Sequence, residues 1–496
     1  MREITNEKQS EDIVYGFPGR CKESNRVCHR TQILPVPSAI PKLQAHIRKP
    51  AKSRCLDKKV RNMNPIQISI KDYRAVKSAE IDLNGITVIS GINGSGKSSI
   101  SRLLYYAIKY ANDYESIVSN ALKPELAPID RLIQSSSTGL KRGVATVDIG
   151  NYYKIATDSE DLYDKIDAYC SSLEALKGYV ALHEKKEDPS FESFSNRLRS
   201  IIKESLTVKN SNGDKSLCEL INDVIEIAKG IRRKADKLSE TRDYRLYRNQ
   251  LAEVLENDLK NVRITEYDMP FLGKNVDSIP VLNYIQQVVY IDTPMIVGMN
   301  KNTGYPYIEY WRDLNEVLER PAKKSYSISL NNIIKDIIKG GSYYDDEPSY
   351  KGNLKYKRED GLTIDLVDSA TGIKSFSLLQ TLLRNGTISQ NTLLIIDEPE
   401  AHLHPQWIVE YARIIVMMQQ KIGTKFFIAS HSTDFVSAVK YIAEKQKVDK
   451  SLSFYLAEED KRKPHSYNYK AIGTDIEPIF ESFNKSLDKI SEYGGW

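Results

Sequence analysis

The 496-residue sequence predicts an α/β fold in which a glycine-rich loop joins a buried strand to a helix. Residues 86–89 are a short β-branched run before a loop at residues 91–99, and apolar residues then recur at helical spacing. Two further apolar runs, at residues 392–396 and 425–429, each end in polar residues. This pattern is typical of parallel strands whose carboxyl ends meet at one edge of a sheet.

The loop at residues 91–99 fits the Walker A pattern G-x-x-x-x-G-K-[ST]. Glycines allow consecutive backbone N–H groups to point at phosphate oxygens, and the following helix adds its positive N-terminal end. Lys97 would reach the β- and γ-phosphates, and the Ser98 hydroxyl would complete a Mg²⁺ shell. We therefore expect ATP and Mg²⁺ as cofactors, with the nucleotide held by Gly91, Asn93, Gly94, Ser95, Gly96, Lys97, Ser98 and Ser99.

The apolar run at residues 392–396 leads directly into two acidic side chains. This is the Walker B arrangement, in which Asp397 would hold Mg²⁺ through its water shell and Glu398 would polarise the attacking water. Adjacent buried carboxylates are unfavourable unless a metal or a donor pairs with them. We therefore predict Ser98 and Asp397 as metal ligands and Glu398 as a catalytic residue.

The run at residues 425–429 is followed by Ser430-His431-Ser432. A polar residue at the carboxyl end of a parallel strand points into the ligand crevice, so His431 is predicted to contact the γ-phosphate as a second catalytic residue. His402 and His404 are two residues apart in the loop after Glu398. They fit either a metal pair or a loop that faces a partner subunit, and we favour the loop.

Composition and charge exclude several other classes of protein. Residues 1–62 carry 14 Lys and Arg against 6 Asp and Glu, whereas the other 434 residues carry 57 against 60. The body of the chain is thus nearly neutral, and its charge does not argue for nucleic acid. No apolar run approaches the roughly 18 residues that span a bilayer, and five irregularly spaced cysteines favour a reducing compartment. We expect a cytoplasmic protein with no membrane partner.

Changes in composition and pattern divide the chain into four regions. Residues 1–62 are predicted to be a disordered basic extension. Residues 63–112 form an N-terminal lobe with a β-hairpin and the glycine loop. Residues 113–290 are an insertion of strands and a helical arm, and residues 291–496 form the C-terminal lobe with Walker B and His431.

Within the insertion, residues 143–157 are predicted to form two strands around a Gly-Asn turn. Residues 191–208 and 217–248 are predicted to be helices, the second with an apolar stripe. Its basic run, residues 229–248, is compatible with a phosphate backbone, a protein partner or a solvated face.

Further along, residues 285–297 resemble a core strand, and residues 354–367 a β-hairpin with Asp360-Gly361 at its turn. Two strands, at residues 453–458 and 466–472, are then predicted before a helix that begins at Glu477.

The glycine loop, the segment ending in Gly372-Ile373-Lys374, the run IIDEPEAHLHP and the run ASHS together resemble the ABC-type ATPases of the SMC and RecF kind. Among bacterial AAA-family proteins, the chain resembles the subgroup that includes OLD-family ATPases and the PtuA ATPase of Septu antiphage systems. The resemblance covers residues 63 to about 460 and implies a P-loop NTPase of ABC/SMC-head type with an N-terminal β-hairpin sheet and an inserted short helical arm.

By this resemblance, Thr371 and Gly372 fall on the signature that contacts the γ-phosphate held by a second subunit. The usual serine position falls on Ala370, with Ser369 one place earlier. The resemblance therefore implies a homodimer, or a higher homo-oligomer, that closes on ATP through its ATPase heads.

OLD-type proteins continue into a TOPRIM nuclease, but only 65 residues follow His431 and no D-x-D occurs among them. We therefore expect no built-in nuclease, and the resemblance implies an antiphage regulator with an HNH-type nuclease as a candidate effector. Two alternatives stay open. One is a DNA-repair ATPase that binds DNA through its arm, and the other is a nucleotide-gated scaffold with little hydrolysis.

Overall fold

The structure, a computed structural model, describes residues 65–139, 144–159, 161–184, 189–205, 215–256, 259–297, 308–323, 327–345 and 354–494. The predicted basic extension, residues 1–62, lies outside the described residues.

A mixed ten-stranded sheet organises the fold. Its strands are β1 (Ile66–Tyr73), β2 (Val76–Leu83), β3 (Ile86–Ser90), β4 (Val262–Glu266), β5 (Met269–Leu272), β6 (Gln287–Ile291), β10 (Thr392–Asp397), β11 (Lys425–Ser430), β12 (Leu452–Glu459) and β13 (Tyr467–Gly473). They lie side by side in the order β5-β4-β1-β2-β13-β12-β3-β11-β10-β6. A separate three-stranded sheet consists of β7 (Gly340–Tyr344), β8 (Leu354–Arg358) and β9 (Thr363–Asp365), and the predicted hairpin at residues 354–367 is confirmed.

The strands from β12 to β6 run parallel to one another and are buried on both faces. Leu393 and Ile395 of β10 face one core, whereas Leu394 and Ile396 face the other, as the alternation of side chains along a strand requires. Ser430 is in register with Ser90, and Asp397 with Ala429. The carboxyl ends of β3, β11 and β10 therefore meet at one edge of the sheet.

Helices cover both faces of this sheet. One core joins the sheet to the helix after β3 and to the insertion, and the other joins it to the helices of the C-terminal lobe. The described helices are α1 (Lys97–Asn112), α2 (Tyr114–Gly139), α3 (Val144–Asp158), α4 (Leu162–His183), α5 (Pro189–Ser205), α6 (Leu217–Thr241), α7 (Tyr244–Leu255), α8 (Glu309–Leu318), α9 (Ile328–Ile338), α10 (Thr371–Arg384), α11 (Pro405–Ile422), α12 (Thr433–Lys445) and α13 (Glu477–Gly494). The predicted α/β fold is confirmed.

The prediction of two strands at residues 143–157 is wrong, because this segment is helix α3. Ile149 and Ala156 are fully buried, and Tyr153 packs beside them. These positions are four and three residues apart, which places them on one face of a helix. The β-branched residues of this segment are accommodated because its buried face packs against α4.

The predicted helix at residues 217–248 is two helices. Ser216 and Glu219 form a capping box at the start of α6, and Arg242 ends α6 in the left-handed conformation with φ 46°. The apolar stripe of α6 is buried against α2, α4 and α5. The predicted arm is therefore a bundle of packed helices, and α6 does not project as a single helix. After the bundle, β4 and β5 return to the large sheet beside β1.

Much of the basic run on α6 is paired within the bundle. Arg232 forms an ion pair with Asp167 of α4, and Lys234 with Glu125 of α2. These pairs bring the helices together and reduce the charge that the run presents to solvent.

Among the described helices, none combines the length and the apolar character needed to cross a lipid bilayer.

Candidate functional site

The glycine loop lies between the last residue of β3 and the first turn of α1. Gly94 and Gly96 have φ values of 81° and 96°, which favour glycine. A Cβ at Gly96 would lie 2.8 Å from Val76 Cγ2, and a Cβ at Gly91 would lie 2.7 Å from Ala457 Cβ. The loop therefore requires glycine at these positions, and its backbone N–H groups lead into the N-terminus of α1 as a phosphate-binding loop requires.

Lys97 is buried at the start of α1, and its side chain folds back over the loop. Its Nζ donates hydrogen bonds to the carbonyl oxygens of Gly91 (2.8 Å) and Ile92 (3.0 Å). Burial lowers the pKa of Lys97, while the carboxylates of Glu398, Asp397 and Glu400 act in the opposite direction. The ammonium thus stands between the loop backbone and the acidic residues of Walker B, where it suits a polyphosphate.

The other predicted loop residues differ in their access to solvent. Asn93 and Ser98 are exposed, Ser99 is half-buried, and Ser95 is buried. The backbone carbonyl of Ser95 accepts a hydrogen bond from the Tyr469 hydroxyl (3.3 Å), which ties the loop to β13. The exposed side chains are the ones that remain accessible to a ligand.

Asp397 ends β10 and is buried beside α1. Its Oδ1 accepts a hydrogen bond from Ser101 Oγ (2.6 Å), and its Oδ2 accepts one from the Tyr290 hydroxyl (2.8 Å). Burial raises the pKa of Asp397, and bonds from Ser101, Ser98 and Tyr290 oppose this rise. A buried carboxylate with hydroxyl neighbours suits a hard divalent cation, so Asp397 and Ser98 fit Mg²⁺.

Ser101 and Tyr290 are contacts that the sequence did not predict. Tyr290 lies in β6, the strand beside β10, and Ser101 lies one helical turn after Ser98. Both residues lie in runs whose pattern indicates only a buried core. No sequence motif distinguishes a buried hydroxyl that hydrogen-bonds a neighbouring side chain from one that does not.

Replacing Tyr290 by phenylalanine removes one of the hydroxyl donors to Asp397. We expect the Mg²⁺ concentration for half-maximal phosphate release to rise roughly tenfold, as is typical when a ligand loses an orienting partner. Tyr356→Phe is the control, since its hydroxyl bonds the distant Ile338 carbonyl. A Mg²⁺ dependence equal to that of the control would contradict the role of Tyr290.

Glu398 follows Asp397 in an unusual backbone conformation, with φ 49°. Its N–H donates to the Ala429 carbonyl (2.8 Å), which fixes this turn against β11. The side chain is 44% exposed, and its Oε1 lies 3.6 Å from Nδ1 of His431. A non-glycine residue held in this conformation is typical of functional sites, and the two predicted catalytic residues are in fact neighbours.

His431 also faces a carboxylate that the sequence analysis did not select. Glu400 Oε1 lies 3.2 Å from His431 Nδ1, and the Glu400 side chain is only 6% exposed. The structure thus brings Lys97, Asp397, Glu398 and His431 to one edge of the sheet, with Glu400 behind the histidine.

The hydrogen bonds recorded around Thr371 and Gly372 do not involve Lys97, Asp397, Glu398 or His431. Thr371 and Gly372 begin α10, and Ala370 is its N-cap without a side-chain bond. The Ser369 hydroxyl donates to the Leu366 carbonyl (2.7 Å), and the Thr371 hydroxyl lies 3.9 Å from Met295 Sδ. None of these bonds reaches the glycine loop of the same chain.

Gly372 has a packing role of its own, because a Cβ there would lie 2.6 Å from the Trp407 ring. That ring is partly buried and packs edge-to-face on Phe376. We expect Gly372→Ala to lower the free energy of unfolding by about 1–3 kcal/mol, as overpacking does. Gly341→Ala is the matched control, since its Cβ would meet Gln380 at 3.7 Å, an ordinary contact. Equal urea midpoints for the two variants would contradict this packing argument.

The paired histidines lie in the exposed turn between β10 and α11. His404 caps α11, with Nδ1 accepting from the Gln406 N–H (3.4 Å), and His402 has φ 61°. In the part of the chain that the structure describes, no three His, Cys, Asp or Glu side chains gather into a metal-binding group.

Comparison with known proteins identifies one family model. Residues 234–437 match the family described as "AAA domain, putative AbiEii toxin, Type IV TA system". The match spans less than half of the chain. It includes Gly372, Asp397, Glu398 and His431 but not the glycine loop.

Solved structures of SMC heads also align with the chain. The SMC head domain from Thermotoga maritima is 12% identical, over 32% of this chain and 51% of that one, with a TM-score of 0.23. This chain thus spans about half of that head domain. The Smc head with an extended coiled coil from Pyrococcus furiosus, bound to the C-terminal domain of ScpA, is 14% identical over 86% of this chain and 98% of that one, with a TM-score of 0.30.

These TM-scores are low, so the fold assignment rests on the strand order and the loop geometry. Both are those of a P-loop NTPase, with the loop strand β3 beside β11 and the Walker B strand β10 next to it. Together with the match of residues 234–437 to an AAA domain, they support an AAA-type ATPase domain in this chain.

Proposed function

We propose that this chain binds ATP with Mg²⁺ and hydrolyses it to ADP and phosphate. The observation that carries the proposal is the convergence of Lys97, Asp397, Glu398 and His431 at the carboxyl edge of the parallel strands. Each of the four has a different chemical task in phosphoryl transfer to water, and together they form one hydrolytic half-site.

In this proposal, the loop N–H groups and Lys97 hold the phosphates and stabilise the charge that develops on them. Asp397 and Ser98 hold Mg²⁺, which when bound neutralises phosphate charge. Glu398, half exposed beside His431, accepts a hydrogen bond from the attacking water and orients it. His431 donates a hydrogen bond to the γ-phosphate.

We further propose that two chains, or a higher homo-oligomer, close on ATP through their heads. Glu398 and His431 are 44% and 40% exposed, so the half-site is open on one side. The Thr371 hydroxyl lies near Met295 and Gly372 lies against Trp407 in their own chain, and both would complete the half-site of a second copy. The mass of the particle in solution, measured with and without ATP in the Glu398→Gln variant, tests this. Mass doubling with ATP supports dimerisation, and one unchanged monomer mass contradicts it.

The biological setting we propose is antiphage defence in the cytoplasm, with an HNH-type nuclease as the effector. It rests on the resemblance of the sequence motifs to OLD-family and PtuA ATPases. The matched family, whose description names a toxin of a toxin–antitoxin system, is compatible with it. The test is phage plating on bacteria that express this gene with its neighbours. The Glu398→Gln variant should lose protection, and equal plating with and without the wild-type genes would contradict the proposal.

A DNA-repair role is the weaker alternative, because Arg232 and Lys234 of the basic run already pair with acidic residues of the bundle. It predicts ATP hydrolysis that duplex DNA stimulates and that salt suppresses steeply. A scaffold role with little hydrolysis predicts that phosphate release stops after one turnover.

A further inference from the structure

We infer that Glu400 is a positioning residue, which holds His431 in the orientation needed for the hydrolysis proposed above. The inference rests on that proposed function but can be tested apart from it. Glu400 is three residues after Asp397, and its side chain is buried against the turn that follows β11.

The Glu400 carboxylate accepts hydrogen bonds from two groups of this turn. Ser430 Oγ lies 3.0 Å from both of its oxygens and donates to it, and the His431 backbone N–H donates to Oε1 (2.9 Å). Ser430 Oγ in turn accepts from the Ser432 N–H (3.1 Å), and Ser432 caps α12. The Glu400 carboxylate thereby fixes the backbone of His431, from which the ring extends.

The same carboxylate faces the ring. His431 Nδ1 is buried and lies 3.2 Å from Glu400 Oε1 and 3.6 Å from Glu398 Oε1, although the angles of these contacts do not make a hydrogen bond. Two carboxylates beside one ring nitrogen favour a proton on Nδ1 over a lone pair. Nε2, on the other side of the ring, then has no proton in the neutral ring, so donation to the γ-phosphate requires a second ring proton, which the negative charge of Glu400 stabilises.

A purely structural role does not require the charge of Glu400. The turn closes through its own backbone, since Ala401 N–H donates to the Glu398 carbonyl (2.8 Å) and Leu403 N–H to that of Glu400 (3.1 Å). The oxygen of a neutral amide could also accept from Ser430 and from the backbone N–H. Burial of a carboxylate is unfavourable. The negative charge of Glu400 is therefore explained only by its interaction with groups such as the His431 ring and Lys97.

The kinetic test compares Glu400→Gln and Glu400→Ala in the full chain, with multiple-turnover phosphate release as the readout. We expect kcat to fall roughly 10- to 100-fold with little change in KM, as when a reacting group loses its orienting partner. Glu400→Gln should retain more activity than Glu400→Ala, because it keeps an acceptor for Ser430. Glu444→Gln, an exposed glutamate on α12, is the matched control and should not change kcat.

The second readout is the ¹⁵N NMR spectrum of the histidine rings, which a merely structural role would not move. The chain has seven histidines, and His431→Gln assigns the signal of interest. Wild type should carry the ring proton on Nδ1, and Glu400→Gln should shift the population toward the Nε2–H form. The spectrum is informative even if wild type proves unable to hydrolyse ATP.

The two readouts separate failure of the inference from failure of the proposed function. If wild type hydrolyses ATP but Glu400→Gln keeps both the rate and the ring signal, the role of Glu400 is refuted and the ATPase stands. If wild type releases no phosphate, the ATPase fails. The ring signal of Glu400→Gln then decides alone whether Glu400 positions His431.

Discussion

Replacing Glu398 with glutamine is expected to reduce the rate of ATP hydrolysis by roughly 100-fold or more while ATP binding persists. Glutamine has the same shape but lacks the negative charge that orients and activates water. The Glu398 backbone N–H bonds the Ala429 carbonyl, and that bond does not involve the side chain, so the turn should keep its structure. The measurement is phosphate release under multiple turnover, paired with equilibrium binding of a fluorescent ATP analogue.

Glu410→Gln serves as the control for this experiment, since Glu410 pairs with Arg413 on the surface of α11. Its turnover should equal that of wild type. A Glu398→Gln variant that hydrolyses ATP at the wild-type rate would show that another group activates the water. The convergence of Glu398 and His431 would then have no catalytic meaning.

Replacing Lys97 with alanine is expected to weaken ATP binding by about 10- to 100-fold, since a hydrogen bond to a charged group contributes about 1.5–3 kcal/mol. Lys97 is the buried cation that the loop carbonyls of Gly91 and Ile92 hold in place. Its loss removes positive charge from a point surrounded by Asp397, Glu398 and Glu400, so repulsion of the phosphates should increase. Titration of the protein with a fluorescent ATP analogue measures the change.

The control for Lys97 is Lys445→Ala, which removes an exposed lysine at the end of α12. It alters the net charge by the same amount without touching the loop. If both variants bind ATP with the affinity of wild type, the glycine loop is not the phosphate site. Similar melting temperatures for the two variants would show that any loss of binding is local.

The sequence was most informative where a local pattern decides the position of a side chain. Lys97 follows a glycine turn at the start of a helix, and Asp397 ends an apolar strand, so both positions follow from spacing alone. Parallel strands then bring such ends to one edge, which explains why Lys97, Asp397 and His431 could be grouped without a structure.

The insertion was harder to predict. Residues 143–157 contain enough β-branched residues to suggest strands, yet Ile149, Tyr153 and Ala156 bury one face of a helix. The spacing of these three residues fits a helix, whereas the β-branched residues fit strands. Packing against α4 decides in favour of the helix, and a contact with a separate helix cannot be inferred from the local sequence. The break between α6 and α7 was likewise hard to predict. It occurs at Arg242, which adopts the left-handed conformation although it is neither glycine nor proline.

The contacts around the predicted catalytic residues could not be predicted, because they depend on pairings between distant segments. Tyr290 reaches Asp397 only because β6 lies beside β10 with Ile291 in register with Ile396. Glu400 reaches His431 only because the turn after β10 folds onto the end of β11. A tyrosine in a core strand and a glutamate in a loop are both common, so their residue types did not single them out. The pairing of the strands brings them into contact with Asp397 and His431.

Phosphate release by the full-length wild-type chain, with Mg²⁺–ATP in large excess, tests the central claim most directly. The account predicts steady release over many turnovers per chain, which stops when EDTA removes Mg²⁺ and which Glu398→Gln suppresses. Absence of release beyond one phosphate per chain, under conditions where ATP is shown to be bound, would contradict it.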